Sequence, residues 1–241
     1  MASALEIAAD VFLSINRAQF SGIIKTMKTI AYIHTDFKEK FGIPRQSGLV
    51  DARGEVHFVE PYNNPDAVRG LEGFSHIWII WGFHQIDKDE WSPTVRPPRL
   101  GGNKRMGVFA TRSPFRPNKI GMSCVELEQI EMTKDGPVLH VKGVDMLDKT
   151  PIYDIKPYVP IADCHVTAKG GFSEEKDRNV EVEFLCPIPE TANKEIIEKL
   201  LKQDPRPAYK EDEERIYIMD YGRWEIQFRG SKDHIYVVKF S

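Results

Sequence analysis

From Met27 to His165 the chain alternates short apolar runs with turn residues, and no long helical period separates them. A parallel sheet needs crossover connections of about a dozen residues or more, usually helical. That requirement excludes the parallel nucleotide-binding sheets. The runs Thr29–His34, Glu55–Glu60, Ser75–Phe83, Arg105–Ala110, Gly121–Met132 and Pro137–Val144 are rich in Ile, Val, Phe and Trp, and they predict strands. Ser75–Phe83 (SHIWIIWGF) is almost continuously apolar and predicts a buried central strand. Short strands joined without long helices predict a mainly β fold, an antiparallel β-barrel closed or half closed on itself.

The ends read differently. In residues 1–26, Leu5, Ala8, Phe12 and Ile15 recur at helical spacing, so the segment is either a short amphipathic helix or an extension without function. Residues 168–179 (AKGGFSEEKDRN) have the composition of a linker. Beyond them Val180–Leu185 predicts a strand, and Glu190–Gln203 predicts a helix with Ile196, Ile197, Leu200 and Leu201 on one face. Arg215–Asp220, Arg223–Arg229 and Ile235–Phe240 predict a small antiparallel meander, in which Trp224, Ile226 and Phe228 alternate with polar residues. The expected division is an extension over 1–26, a barrel over 27–167 and a small α+β domain over 168–241.

Composition narrows the function by exclusion. No apolar run approaches the roughly 20 residues of a membrane-spanning helix, and the start of the chain lacks a secretory signal pattern. Cys124, Cys164 and Cys186 are odd in number and form no C-x-x-C, which points to a reducing cytoplasm rather than a disulfide framework. The histidines are scattered without H-E-x-x-H or any metal-binding spacing, so no metal is expected. There is no G-x-G-x-x-G, no Walker A loop and no G-x-S-x-G.

Charge is more informative. Between Trp91 and Val125 there is no Asp or Glu, while Arg96, Arg99, Lys104, Arg105, Arg112, Arg116 and Lys119 give that window a formal charge of +7 on a chain whose net charge is −3. A concentrated basic segment on a mildly acidic protein points to a local polyanion site. Prolines and glycines in RPPR and TRSPFRPN hold these cations in turns rather than on a free tail.

Three further polar clusters accompany the basic segment: Gly42–Gln46 (GIPRQ), Phe83–Gln85 (FHQ) and Asp145–Asp163 (DMLDKTPIYDIKPYVPIAD). Each alone has a purely structural explanation. Asp148–Pro151 suits a turn, His84 a strand end, and Arg112 and Arg116 suit ion pairs with the aspartates. All four stretches fall at strand ends, where barrels carry their binding loops.

GIPRQ, VRGLEGFSHIWIIWGFHQ, RPPRLGGNKRMGVFATRSPFRPNKIGMS and DMLDKTPIYDIKPYVP together resemble the TsaA/TrmO family of tRNA methyltransferases, and QDPRPAY at 203–209 resembles that family's smaller C-terminal domain. The resemblance implies a TsaA-like, non-Rossmann β-barrel that forms homodimers and transfers a methyl group from S-adenosylmethionine to N6 of threonylcarbamoyl-adenosine, next to the anticodon. It implies cofactor contacts at Pro44, Arg45, Gln46, His84, Gln85, Arg112, Met122, Asp148, Lys149, Thr150 and Pro151. Lys149 stands where the family usually has glycine. If that position requires a positive φ, lysine carries a strain of roughly 1 kcal/mol.

S-adenosylmethionine carries no phosphate, which agrees with the missing glycine-rich cradle. Methyl transfer is an in-line displacement governed by positioning. The delocalised N6 lone pair is a weak nucleophile, so a proton acceptor helps. Asp154 or Tyr158 is the expected acceptor, with Arg116 holding the threonyl carboxylate. Arg96, Arg99, Lys104, Arg105 and Lys119 are expected phosphate contacts of the tRNA. The alternatives are a β-barrel RNA-binding module without catalysis, which leaves GIPRQ, FHQ and the aspartate loop without a role, and a hydrolase built on Asp/His pairs, for which no nucleophile motif is present.

Overall fold

In a computed structural model, residues 27–86, 91–97, 100, 104–174, 180–206 and 213–241 are described. The 1–26 extension, Arg99 and Tyr209 lie outside them.

Six antiparallel strands close on themselves. They are β1 (Ala31–Thr35), β2 (Arg53–Phe58), β3 (His76–Gly82), β6 (Ile120–Thr133), β7 (Gly136–Lys142) and β8 (Thr150–Pro157), in the order β1-β2-β7-β6-β3-β8 with β8 returning to β1. Alternation fills the interior. Ala31 and Ile33 of β1, Val56 of β2, Ile77 and Ile79 of β3, Leu139 and Val141 of β7, and Ile152 of β8 are buried. Each such aliphatic side chain contributes about 1.5–3 kcal/mol by leaving water. The strand β3 is covered on its outer face as well, where Trp78 packs against Tyr158 at 5.9 Å and donates to Asp163 at 3.1 Å. Its apolar continuity follows from that double burial.

Two segments depart from the sequence reading. Arg105–Ala110 is not a barrel strand. Only Met106–Gly107 (β5) is extended, paired with Thr94–Val95 (β4) in a small ribbon, and Val108–Ala110 turn into a short 3-10 segment. The sixth barrel strand is instead β8, from within the aspartate-rich cluster. Prolines 151 and 157, together with Asp154 and Lys156, hide its apolar alternation, yet it pairs with both β1 and β3.

The second sheet has the order β10-β11-β12-β9, formed by Tyr217–Tyr221, Trp224–Arg229, His234–Phe240 and Glu181–Phe184. The first three strands are the expected meander, and β9 adds in parallel along β12. The helix Lys194–Lys202 is capped by Asn193, whose side chain accepts from the Ile196 N–H at 3.2 Å.

This sheet packs on the loop between β1 and β2. Phe37 meets Tyr221 at 5.4 Å, and Phe41 stacks on Tyr217 at 6.4 Å and on Phe228 at 6.2 Å. The Gly222 N–H donates to the Asp36 carbonyl at 2.8 Å. Gly42, at φ 90, lies against Met219, where a Cβ would come within 2.4 Å of the sulfur. The loop that carries GIPRQ is thus clamped immediately before Pro44, Arg45 and Gln46.

Lys149 adopts φ 61, the left-handed conformation, at the entrance to β8, with its N–H donating to the Ile33 carbonyl at 2.8 Å. Its side chain is exposed, so no packing offsets the backbone strain. Lys149→Gly is expected to raise the unfolding free energy by up to about 1 kcal/mol, after allowing for glycine's freer unfolded chain. Lys149→Ala should change it by less than about 0.5 kcal/mol. Urea denaturation measures both, and a glycine variant less stable than the parent would show the position to be unstrained.

Candidate functional site

At the end of the barrel where β3 finishes and β6 begins lies a cavity of about 800 Å³. Its floor is built by Trp81 and Gly121, adjacent on paired strands. The indole lies directly across Gly121, where a Cβ would sit 2.3 Å from the ring. Phe83 meets Trp81 edge-on at 4.4 Å and continues the apolar surface upward.

The polar part of the floor is a short chain of hydrogen bonds. Trp81 Nε1 donates to Ser123 Oγ at 2.9 Å, and the Ser123 hydroxyl donates to Asp145 Oδ1 at 2.5 Å. Asp145 stands in the loop between β7 and β8, among the buried residues Val144, Met146 and Leu147. Burial pushes its carboxyl up to about 6, against the opposing effects of the Ser123 hydroxyl, the N–H groups of Asp145 and Ser47, and the Arg112 charge.

The walls come from the other clusters. The β1–β2 loop supplies Pro44, Arg45 and Gln46, and Arg112 Nη1 donates to Gln46 Oε1 across the cavity. Arg45 is tethered in turn by a 3.1 Å bond to the Asp204 carbonyl of the C-terminal unit. His84 and Gln85 follow β3, and Lys40 donates to the Gln85 carbonyl. Burial holds the His84 imidazole below its ordinary value; the Gly82 carbonyl works upward and the Lys40 charge downward. Such a ring is neutral near pH 7. Its Nδ1 lies 3.5 Å from Thr150 Oγ1. Arg116 is folded onto its own loop, donating to the Thr111 and Ser113 carbonyls at 2.9 and 3.3 Å.

Of the residues singled out from sequence, Pro44, Arg45, Gln46, His84, Gln85, Arg112, Arg116, Met122 and Thr150 line this one cavity. Asp148, Lys149 and Pro151 do not. Asp148 turns back to β1, accepting from the Thr35 N–H at 3.1 Å and pairing with Lys38 at 2.9 Å. Burial pushes its carboxyl up, but Lys38, that N–H and His34 outweigh it and leave the group below its ordinary value. Pro151 lies in the barrel wall opposite Tyr32.

Asp154 and Tyr158 are also absent from the lining of this cavity. The Asp154 carboxylate pairs with Lys156 at 3.1 Å, and the Tyr158 ring packs on Trp78 and His76 at the other end of β3. The sequence reading placed them by their cluster alone, and that cluster became a strand whose residues alternate between faces. It passed over Asp145, although one signal was present: a lone acid inside the apolar run Val144–Leu147 implies a buried carboxylate.

In the basic segment, Arg96, Lys104 and Arg105 are exposed, and Arg105 Nη1 donates to Thr94 Oγ1 at 2.8 Å. Lys119 is tied to the Ile86 carbonyl at 3.0 Å. Two large aromatic rings of the same stretch of sequence are exposed. Phe109, 73% exposed, also lines the cavity, and it stacks on Trp91 at 6.4 Å with 20° between ring planes.

Comparison with known proteins adds the following. Residues 32–164 match the family model described as tRNA-methyltransferase O N-terminal domain, and residues 178–241 match the TrmO C-terminal domain. A tRNA (adenine(37)-N6)-methyltransferase of Escherichia coli is 46% identical over 218 residues, 83% of this chain and 93% of that protein. A putative S-adenosylmethionine-dependent methyltransferase, RcsF, of Pseudomonas aeruginosa is 43% identical over 78% of this chain and 84% of its own. A crystal structure of TrmO from Pseudomonas aeruginosa superposes with a TM-score of 0.70 at 34% identity, covering 91% of this chain and 100% of that one.

The buried carboxylate has a consequence for stability. Its ordinary value is 3.8 and its folded value about 6, so between these pH values the unfolded chain has released a proton that the folded chain keeps. The contribution of Asp145 therefore falls as pH rises through that window, by on the order of 3 kcal/mol in total. Asp145→Asn is expected to be about 1–3 kcal/mol more stable than the parent at pH 7.5 and nearly equal to it at pH 4. Denaturant unfolding at the two pH values checks this, and an equal difference at both would refute it.

Proposed function

The chain belongs to the tRNA-methyltransferase O family, and on that premise we propose that it uses S-adenosylmethionine to methylate N6 of adenine 37 in tRNA, in the threonylcarbamoylated form of that base. The observation that carries the reading is convergence. GIPRQ, FHQ, the basic segment and the aspartate loop are far apart in sequence and meet around one cavity with no glycine-rich phosphate cradle.

The residues present fit the cofactor. Trp81, Phe83 and Ile120 offer apolar surface for a purine ring, and Arg45 and Arg112 offer donors for a carboxylate. Gln46, Gln85 and Thr150 offer hydrogen-bond partners for hydroxyl and amine groups. When bound, the cofactor supplies an electrophilic methyl group on a sulfonium. The chain's own contribution is to orient the partners through the Arg112–Gln46 bond and to exclude water over the Trp81–Phe83 surface.

The RNA face is supported by the exposed cations of the basic segment. Arg96, Lys104 and Arg105 suit phosphates, with Arg99 and Lys119 in the same basic segment. The exposed Trp91–Phe109 pair suits an unstacked base of a single-stranded loop, which is how sequence-specific RNA recognition commonly proceeds. This pairing of cations with solvent-exposed rings favours the anticodon loop over a duplex stem. We extend the proposal to a cytoplasmic homodimer, organised as a barrel over 27–167 and a smaller domain over 168–241. Ile161 and Val166, 95% and 92% exposed, offer apolar surface that a second copy would cover. No helix among the described residues is long and apolar enough to cross a membrane.

Incubation of the protein with S-adenosylmethionine and tRNA, followed by mass spectrometry of the nucleosides, should yield N6-methyl-threonylcarbamoyl-adenosine; unchanged nucleosides beside a working control enzyme would reject the activity. Titration calorimetry should detect cofactor binding without RNA, a result that an RNA-binding module does not give. Phe109→Ala and Trp91→Ala should each weaken tRNA binding by about 1–3 kcal/mol, roughly 5- to 150-fold, and Trp91→Ala, which lies outside the cavity lining, should do so without changing cofactor affinity. The binding constant should also fall steeply with salt, and a flat response would remove the phosphate contacts.

A further inference from the structure

We propose that Asp145 is the group that accepts the N6 proton during methyl transfer, with Ser123 and Trp81 as positioning residues that fix its orientation. The inference deepens the proposed function and rests on it.

Geometry selects Asp145. It is the one carboxylate among the described residues that line the cavity. Its Oδ1 is held by the Ser123 hydroxyl at 2.5 Å, and that hydroxyl is oriented by the Trp81 indole N–H at 2.9 Å. Neither donor is free to rotate. Trp81 is pinned over Gly121 and against Phe83, and Ser123 lies within β6 with no exposed surface. A carboxylate fixed in this way meets a substrate without reorganising, which is the condition for efficient proton transfer.

The other titratable and charged groups facing this space come from every surrounding segment. They are Lys40 and Arg45 from the β1–β2 loop, His84 after β3, and Arg112 and Arg116 from the basic segment. Asp148, on the same loop as Asp145, is turned away to Lys38. The four cations cannot accept a proton near neutral pH. His84 can, but it stands exposed at the rim, where water competes for its free nitrogen. Asp145 stands on the floor beside the apolar surface, and its raised proton affinity of about 6 leaves it ionised at neutral pH yet a far better base than a solvated aspartate.

The step balances. The N6 nitrogen forms a bond to the methyl carbon as the sulfonium–methyl bond breaks and its electron pair returns to sulfur, leaving a neutral thioether. The N6–H electron pair stays on nitrogen, and the proton passes to Asp145, whose carboxylate becomes a neutral acid. Charge is conserved, because one cation and one anion are both neutralised. Release of the proton to water resets the site.

The test uses the full chain with S-adenosylmethionine and threonylcarbamoylated tRNA. Single-turnover rates of the parent should rise with pH and then level off, the limb lying below the value of about 6 of the free protein because the bound cationic donor favours the ionised carboxylate. Asp145→Asn should lose roughly 10²- to 10⁴-fold in that rate at saturating S-adenosylmethionine while retaining tRNA affinity by filter binding. Ser123→Ala removes a donor to the ionised carboxylate, so its acidic limb should move to higher pH. Carbon NMR of the Asp145 carboxyl in the free protein should show the same displacement without any turnover. Parental rates in Asp145→Asn would overturn the assignment. So would loss of cofactor binding at an unchanged single-turnover rate under saturation, or an acidic limb that His84→Gln abolishes and Ser123→Ala leaves in place. If the parent itself transfers no methyl group, the proposed function fails rather than the role of Asp145.

Discussion

The indole of Trp81 crosses β6 because position 121 has no side chain, and the whole cavity floor depends on that close approach. A methyl group at 121 would meet the ring at 2.3 Å, well inside any contact that real side chains make. With the ring in place, its N–H reaches Ser123 and fixes the hydroxyl, and the hydroxyl fixes Asp145. Tryptophan also ends the barrel core here. Its inner face continues the layer of Ile77 and Ile79, while its outer edge is cavity surface. One side chain therefore joins packing energy to site geometry, and displacing it would disturb both.

The second constraint lies in the loop between β1 and β2. A loop carrying Pro44, Arg45 and Gln46 needs a rigid base if those residues are to meet partners from distant segments. The C-terminal sheet provides it through the stack of Phe41 on Tyr217 and Phe228 and the close approach of Gly42 to Met219. Arg45 itself is tied to the Asp204 carbonyl. The small second unit therefore acts on the cavity through packing, and none of its described residues is among those lining it.

Legibility in the sequence followed burial. The strand β3 was readable because both of its faces are covered, so its apolar run is continuous; the helix Lys194–Lys202 was readable because one face alone is buried. The strand β8 was not, since Pro151, Asp154 and Lys156 occupy its outward positions and the pattern resembles a loop. In a loop Asp154 would be free to turn toward the cavity, whereas in a strand its face is set by register with Ile80. Asp145 was visible as a letter but not as a site. Its significance comes from Ser123 and Trp81, which are 22 and 64 positions away and meet it only after β3 and β6 pair.

Electrostatics at the cavity resolve an apparent conflict. Lys40, Arg45, Arg112 and Arg116 make the space attractive to RNA but hostile to a cationic methyl donor. A single buried carboxylate offsets part of that repulsion, and its cost in the empty protein is the desolvation that raises its proton affinity. A cation bound beside a buried carboxylate lowers that proton affinity, and by linkage the ionised carboxylate strengthens the binding of the cation. Donor binding therefore prepares the base by favouring its ionised form. Were the donor's positive charge lost on methyl transfer, the proton affinity of Asp145 would rise again, as the proposed role of this carboxylate requires.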